Sequence, residues 1–126
     1  MILSEIQAPE VLKEKGTAPT TESDVYAFGM TIFNIMTGQP PFADKWEPLV
    51  IVEVLKMKGQ PSQPEFNHTL QRSDAKAKMS ELLKWCIAYE PGDRPNVSQV
   101  KDALIEVEKL ECTLIEDVKI ERDGSK

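Results

Sequence analysis

The segment Ser23-Asp24-Val25-Tyr26-Ala27-Phe28-Gly29 heads the most regular apolar pattern in the chain. Just ahead of it, Thr21 and Asp24 form a capping-box-like pair. Val25, Phe28, Ile32, Ile35 and Met36 then recur at helical spacing until Gly38 closes the run. Phe33 and Ile35 widen the apolar face, so the pattern predicts a helix buried on most of its sides.

Outward from that helix the chain reads as further helices joined by proline- and glycine-marked breaks. Gln39-Pro40-Pro41-Phe42 must be a turn or an extended link, because two consecutive prolines remove two backbone donors and bias the preceding residues away from helix. Asp44 then caps a second helix, with Glu47 and Pro48 in its first turn and Leu49, Val52 and Leu55 along it, ending at Gly59. Residues 59–72 hold Gly59, Pro61, Pro64 and Asn67 without sustained periodicity, and long connections of that kind often carry function. Ser73 opens a third helix bearing Met79, Leu82, Leu83, Cys86 and Ile87, which stops before Pro91-Gly92. Asn96 with Gln99 caps a fourth, bearing Val97, Val100, Leu104, Val107 and Leu110. Residues 1–20 are loop-rich, with room for a short helical turn from Pro9 to Lys15. The polar stretch 111–126, with scattered Leu114, Ile115, Val118 and Ile120, reads equally as helix continuation or as a tail. The expected architecture is an all-α cluster of four main helices, organised as a folded unit over 1–110 and a polar tail over 111–126.

Composition narrows the function classes. Hydrophobic residues make up 40% and charged residues 29% of the 126, a globular balance with enough apolar material for a modest core. Fifteen basic against twenty-one acidic residues leave a net charge of -6, which opposes binding to the phosphates of nucleic acid. The first residues carry no basic region followed by an apolar one, and no apolar run approaches the ~18 residues a membrane span requires. A cytoplasmic, membrane-free protein is expected. Without secretion, Cys86 and Cys112 are expected to stay unpaired, and the acceptor-like triplets at Asn67 and Asn96 carry no glycan. His68 has no Cys, His or Asp cluster around it at metal-ligand spacing and reads as a solvated residue.

Four short motifs fall in a fixed order: Ala8-Pro9-Glu10, then Asp24 to Gly29, then Gly38-Gln39-Pro40-Pro41-Phe42, then Cys86 with Pro91 and Arg94-Pro95. Together they resemble the C-terminal lobe of eukaryotic protein kinases, over residues 8 to about 110. The Tyr at position 26 and the surrounding residues look most like the tyrosine-kinase-like group. The resemblance implies that Glu10, which ends an activation segment, pairs with Arg94, and that Pro9 and Gly29 are structural residues of the lobe. A buried carboxylate and guanidinium need each other, since removing one partner strands a charge at a cost of roughly 3 to 5 kcal/mol. Asp24 would be the carboxylate that accepts hydrogen bonds from the backbone of a catalytic loop. The chain departs from the family pattern in two places. Cys86-Ile87 stands where the family often has Cys-Trp, and Ser4-Glu5-Ile6-Gln7 replaces the usual approach to the triplet, which bears on substrate recognition.

Phosphoryl transfer in this family needs a glycine-rich phosphate cover, a strand lysine, a catalytic-loop Asp with its Asn, and a metal-binding Asp. None of these motifs occurs in the sequence: the glycines at 16, 29, 38, 59 and 92 are isolated, there is no Asp-Phe-Gly, and His68 is not followed by Arg-Asp. The expectation is a partial kinase domain with no catalytic, cofactor-binding or metal-binding residue of its own. ATP and magnesium would belong to the complete family domain. A protein substrate or regulator is the partner the resemblance implies, and it makes Trp46, Pro48 and Leu49 on the second helix the candidate docking residues, with core packing against the first helix an equal alternative. Two other readings remain at this level: a stand-alone interaction module that binds a protein through the second helix and the 59–72 connection, and a decayed product. Thr17, Thr20, Thr21 and Ser23 precede a helix and would suit a phosphate, but helix capping is the simpler role.

Overall fold

The computed structural model describes residues 7–13, 18, 20–39, 42, 54, 66 and 69–124, with side chains as far as 112. Among the described residues it is helical and contains no strand. Helix α1 is Pro9–Lys13, α2 is Thr21–Thr37, α3 is Ser73–Cys86, and α4 is Val97–Gly124, with a 3-10 turn at Pro91–Asp93 before α4. The all-α C-lobe expectation therefore holds. The helix read from Asp44 to Gly59 lies outside the described residues except for Val54, which is buried. The polar stretch after residue 110 continues α4 as far as Gly124.

Local signals set the helix ends. The α2 cap falls one residue earlier than the sequence pattern suggested. Thr20 is the N-cap, its hydroxyl accepting from the Ser23 N–H at 3.1 Å while the Thr20 N–H donates to Ser23 Oγ at 2.8 Å. That reciprocal pair satisfies two backbone donors at the helix start, and it leaves Asp24 free of capping duty. Gly38 ends α2 in the left-handed region at φ 75, its N–H reaching back to the Asn34 carbonyl. Only a residue without a Cβ adopts that conformation without cost. Before α4, Asn96 and Gln99 cap each other reciprocally, at 2.9 and 2.8 Å, as their spacing predicts.

Helix α3 is the central packing element, lying against α2 on one side and α4 on the other. Its apolar stripe of Ala75, Met79, Leu82, Leu83 and Cys86 meets Val25 and Phe33 of α2 and Val100, Ala103 and Val107 of α4. Phe66 and Leu70 enter the same core, so the end of the connection at 59–72 is an anchor. Two further bonds fix that segment: Thr69 donates to the Met36 carbonyl at the end of α2, and the Glu111 carboxylate on α4 accepts from the N–H groups of Gln71 and Arg72.

The opposite flank of α2 forms a second cluster, in which Tyr26 and Met30 meet Ala8, Phe42, Val54 and Ile87. Phe42 is 3% exposed and takes φ 56, a conformation uncommon for a bulky residue. Burial of its ring offsets that backbone cost. Helix α2 is thus buried on two sides and not on most sides, since Phe28 is 40% and Ile35 63% exposed. Both face away from the two clusters that hold the helix.

The approach of α2 to α3 is closest at Gly29. A Cβ placed there would lie 2.7 Å from Cys86 Cβ and 3.2 Å from Ile87 Cγ2. Cys86 Cβ is the root of a side chain and cannot rotate away, so a methyl at position 29 must push the helices apart. Gly29→Ala gains about 1 kcal/mol of helix propensity, yet overpacking a close contact costs about 1 to 3 kcal/mol. The expected outcome is a lower thermal midpoint by circular dichroism, and a raised midpoint would show that the helices are not this close.

Candidate functional site

The chain concentrates its polar structure at one buried guanidinium. Arg94 follows the 3-10 turn, and its side chain has no solvent exposure. A buried arginine must find an acceptor for each of its five N–H donors or lose the hydrogen bonds that water supplied. All five are used. Nη1 donates to Glu10 Oε2 at 2.7 Å and to the Glu22 carbonyl at 2.9 Å. Nη2 donates to Glu10 Oε1 at 2.9 Å and to the Tyr89 carbonyl at 3.1 Å, while Nε donates to the Ala88 carbonyl at 2.8 Å. Its guanidinium carbon also lies 4.9 Å from the centroid of the buried Tyr26 ring.

Each partner comes from a different part of the chain. Glu10 sits in the first turn of α1, which starts at the buried Pro9, a position where the missing N–H costs nothing. Glu22 contributes a carbonyl from the first turn of α2, and Ala88 and Tyr89 contribute carbonyls from the turn that follows α3. The Glu10–Arg94 pair is bidentate, the geometry that makes a charge-assisted pair strong. It spans 84 positions of sequence. Nearby, Lys13 lies over the Tyr89 ring at 4.8 Å from its centroid and adds a second tie between α1 and the same turn.

Electrostatics follow from this arrangement. Partial burial pushes the Glu10 carboxyl up, but the hydrogen bond and charge of Arg94 outweigh it and hold its pKa below the ordinary glutamate value. Burial raises Tyr26 above the usual tyrosine range, so its ring stays a neutral π face under the cation. Burial likewise pushes the Cys86 thiol up to about 11, leaving it a small apolar core residue and a poor nucleophile. Both cysteines are free, Cys86 buried and Cys112 exposed.

The site residues named from the sequence divide into three groups. Glu10, Pro9 and Arg94 come together in the staple, and Gly29 lies at the α2–α3 contact. Asp24 stands apart from them, on the exposed side of α2, where it lines a groove with residues of α4. Trp46, Pro48 and Leu49 lie outside the described residues, as do Thr17 and His68. Thr20 and Ser23 cap α2, and the exposed Thr21 donates to Glu22. Sequence reasoning did not find the three carbonyls that Arg94 engages, because backbone acceptors leave no mark in side-chain identity. The Tyr26 ring was visible as a residue but not as the platform under Arg94.

The arrangement orders chain segments and offers no reacting group. Among the described residues no set of three His, Cys, Asp or Glu side chains lies within reach of a common metal ion. No described helix is long and apolar enough to cross a membrane.

The sequence matches the family described as protein kinase domain over residues 4–104. It is 32% identical over 98 residues to the serine/threonine-protein kinase mos of Patiria pectinifera, covering 78% of this chain and 25% of that protein. It is 30% identical over 112 residues to the serine/threonine-protein kinase PknK of Mycobacterium bovis, covering 88% of this chain and 10% of that protein. A probable inactive leucine-rich repeat receptor-like protein kinase of Arabidopsis thaliana is 29% identical over 101 residues, with 77% of this chain and 15% of that protein covered. The chain thus spans a quarter or less of the length of these relatives.

Removing either partner of the staple should be costly. Arg94→Ala, which strands Glu10 and three carbonyls, is expected to destabilise by roughly 3 to 5 kcal/mol in urea unfolding. Arg94→Lys should recover only part of that loss, because an ammonium cannot reproduce the fork. The pH dependence has a definite sign. Because the folded pKa of Glu10 is lowered, its contribution is complete above the unfolded value of about 4.3 and fades as pH falls through the folded value. Glu10→Gln should remove that part of the acid sensitivity, and an unchanged stability difference between pH 6 and pH 3, taken as about one and a half units either side of 4.3, would contradict the assignment.

Proposed function

This chain belongs to the protein kinase domain family, and from that premise we propose that it is the C-terminal lobe of a domain that transfers phosphate from ATP to protein hydroxyl groups. The relatives named serine/threonine-protein kinases favour serine or threonine as the receiving residue. Assignment to the tyrosine-kinase-like group rests on the residues around Tyr26 and belongs to the same proposal. The lobe's own part in that activity is architectural: Arg94 seats the segment ending at Glu10 against the central helix α2.

The observation that carries this reading is a family match over residues 4–104 in a sequence with no glycine-rich phosphate cover, no catalytic-loop Asp with its Asn, and no Asp-Phe-Gly. The residues present do not fit ATP or magnesium. Gly29, Gly38 and Gly92 are isolated, and the described acids form no cluster able to share a cation. Alone, therefore, this lobe is inactive, and phosphate transfer depends on residues that supply those parts. A compartment facing the cytoplasm, where ATP is abundant, suits the reading.

The test is direct. Thermal unfolding of the 126-residue chain should be unmoved by ATP with magnesium, and no label should pass from γ-labelled ATP to a general protein substrate. A reproducible, magnesium-dependent stabilisation by nucleotide would overturn the proposal of inactivity.

A further inference from the structure

Among the described residues the three long helices begin differently. α2 and α4 are capped by side chains from their own first turns and caps, Thr20 with Ser23 and Asn96 with Gln99. Helix α3 lacks such a cap. Its N-cap is Arg72, which makes no side-chain cap bond and whose guanidinium pairs instead with Asp74 at 3.0 Å. The amides at that end are met from another helix. Glu111 Oε1 accepts from the Arg72 N–H at 3.0 Å and Oε2 from the Gln71 N–H at 2.8 Å, so both carboxylate oxygens are used. A negative charge there also suits the positive end of the α3 dipole. Glu111 lies on α4 past the family match, which ends at residue 104.

The short segment that Glu111 holds is tied on its other side to α2. Thr69 donates its hydroxyl at 3.1 Å to the Met36 carbonyl, one of the last carbonyls of α2, which a helix leaves without an internal partner. Between the two ties Leu70 is buried in the core, and the N–H groups of Thr69 and Leu70 both bond to the Phe66 carbonyl. Residues 69–72 therefore bridge the end of α2 and the far part of α4 across the start of α3. Thr69 and Gln71 are exposed and Glu111 is half-buried, so water can replace the Glu111 bonds while Leu70 keeps its place in the core.

We propose that Glu111 is a latch. The part of α4 beyond the family match caps α3 from outside, and opening its one carboxylate contact loosens the backbone at Gln71 and Arg72 and, through Thr69, the carbonyl end of α2, while the core around α3 stays folded. The inference rests on hydrogen bonds within this chain and is independent of the phosphotransfer reading.

Native-state amide exchange on the 126-residue chain tests it. In the native chain Gln71 and Arg72 should be protected together, and less strongly than Leu82 and Leu83 in the body of α3. Glu111→Ala should speed exchange at Gln71 and Arg72 about tenfold or more relative to Leu82 and Leu83 in the same variant. That ratio separates an opened latch from a general loss of stability, which raises all four rates alike. Glu111→Gln, whose side-chain amide offers a single acceptor oxygen, should leave no more than one of the two amides protected.

The link to α2 is read with Thr69→Val, which removes the hydroxyl and keeps the shape of the side chain. It should speed exchange at Gln71 and Arg72 about threefold, and should add little once residue 111 is alanine, because the two ties then open as one unit. Unprotected Gln71 and Arg72 amides in the native chain overturn the proposal, a measurement that stands even if Glu111→Ala does not fold. Rates that rise in step with those of Leu82 and Leu83 in Glu111→Ala overturn it as well. Effects of Thr69→Val and Glu111→Ala that simply multiply overturn the link between the latch and α2.

Discussion

The fold depends on satisfying one buried cation. The Arg94 side chain has no exposure, so its charge must be met entirely by the protein, and the acceptors that meet it come from α1, α2 and the turn after α3. A guanidinium in that position imposes a strict condition, because its planar fork fixes the direction of every donor. If any of the three segments moved, one or more N–H groups would be left without a partner in an environment where water cannot replace it. Helix α1 illustrates the dependence. At five residues it is too short to be stable by itself, and Glu10 with Lys13 holds it against the Arg94 turn.

Helix α2 converts that local lock into a lobe. Its capping box sets where the helix starts, and this places the Glu22 carbonyl and the Tyr26 ring against Arg94. From there the helix separates two cores, with Val25 and Phe33 turned to α3 and α4, and Tyr26 and Met30 turned to Ala8, Phe42 and Val54. Gly29 lets α2 approach α3 closely at Cys86, whose Cβ would clash with any Cβ at position 29. The large apolar residues Phe28 and Ile35 join neither core. Phe28 instead borders an apolar groove that α2 shares with α4.

Much of this was legible in the sequence, and the limits were physical. Helix periodicity located α2, α3 and the start of α4, and the reciprocal Asn96–Gln99 cap is a local pattern that a sequence reports faithfully. The α2 cap was misplaced by one residue because adjacent threonines each have a suitable partner three positions on, Thr20 with Ser23 and Thr21 with Asp24. Only the backbone path selects between them. The apolar count along α2 overstated its burial, since periodicity records which residues share a face but not whether anything covers it. Glu111 caps Gln71 and Arg72 from 40 and 39 positions away, and no local rule reaches that far. The Glu10–Arg94 pairing was legible only through family resemblance; its three backbone acceptors were not legible at all.

Asp24 shows where structure and family diverge in what they ask of a residue. Capping falls to Thr20 and Ser23, the staple uses Glu10 and Arg94, and Asp24 contributes to neither. A helix-start aspartate needs no more than the favourable end of the α2 dipole to be tolerated there. It stands at the edge of an apolar groove that Lys101 and Glu108 of α4 also line. In this lobe the residues that hold the fold at Arg94 are distinct from the exposed ones that line the α2–α4 groove. Substitutions at Arg94 therefore act on folding, whereas a substitution at the exposed Asp24 leaves the cap and the staple intact.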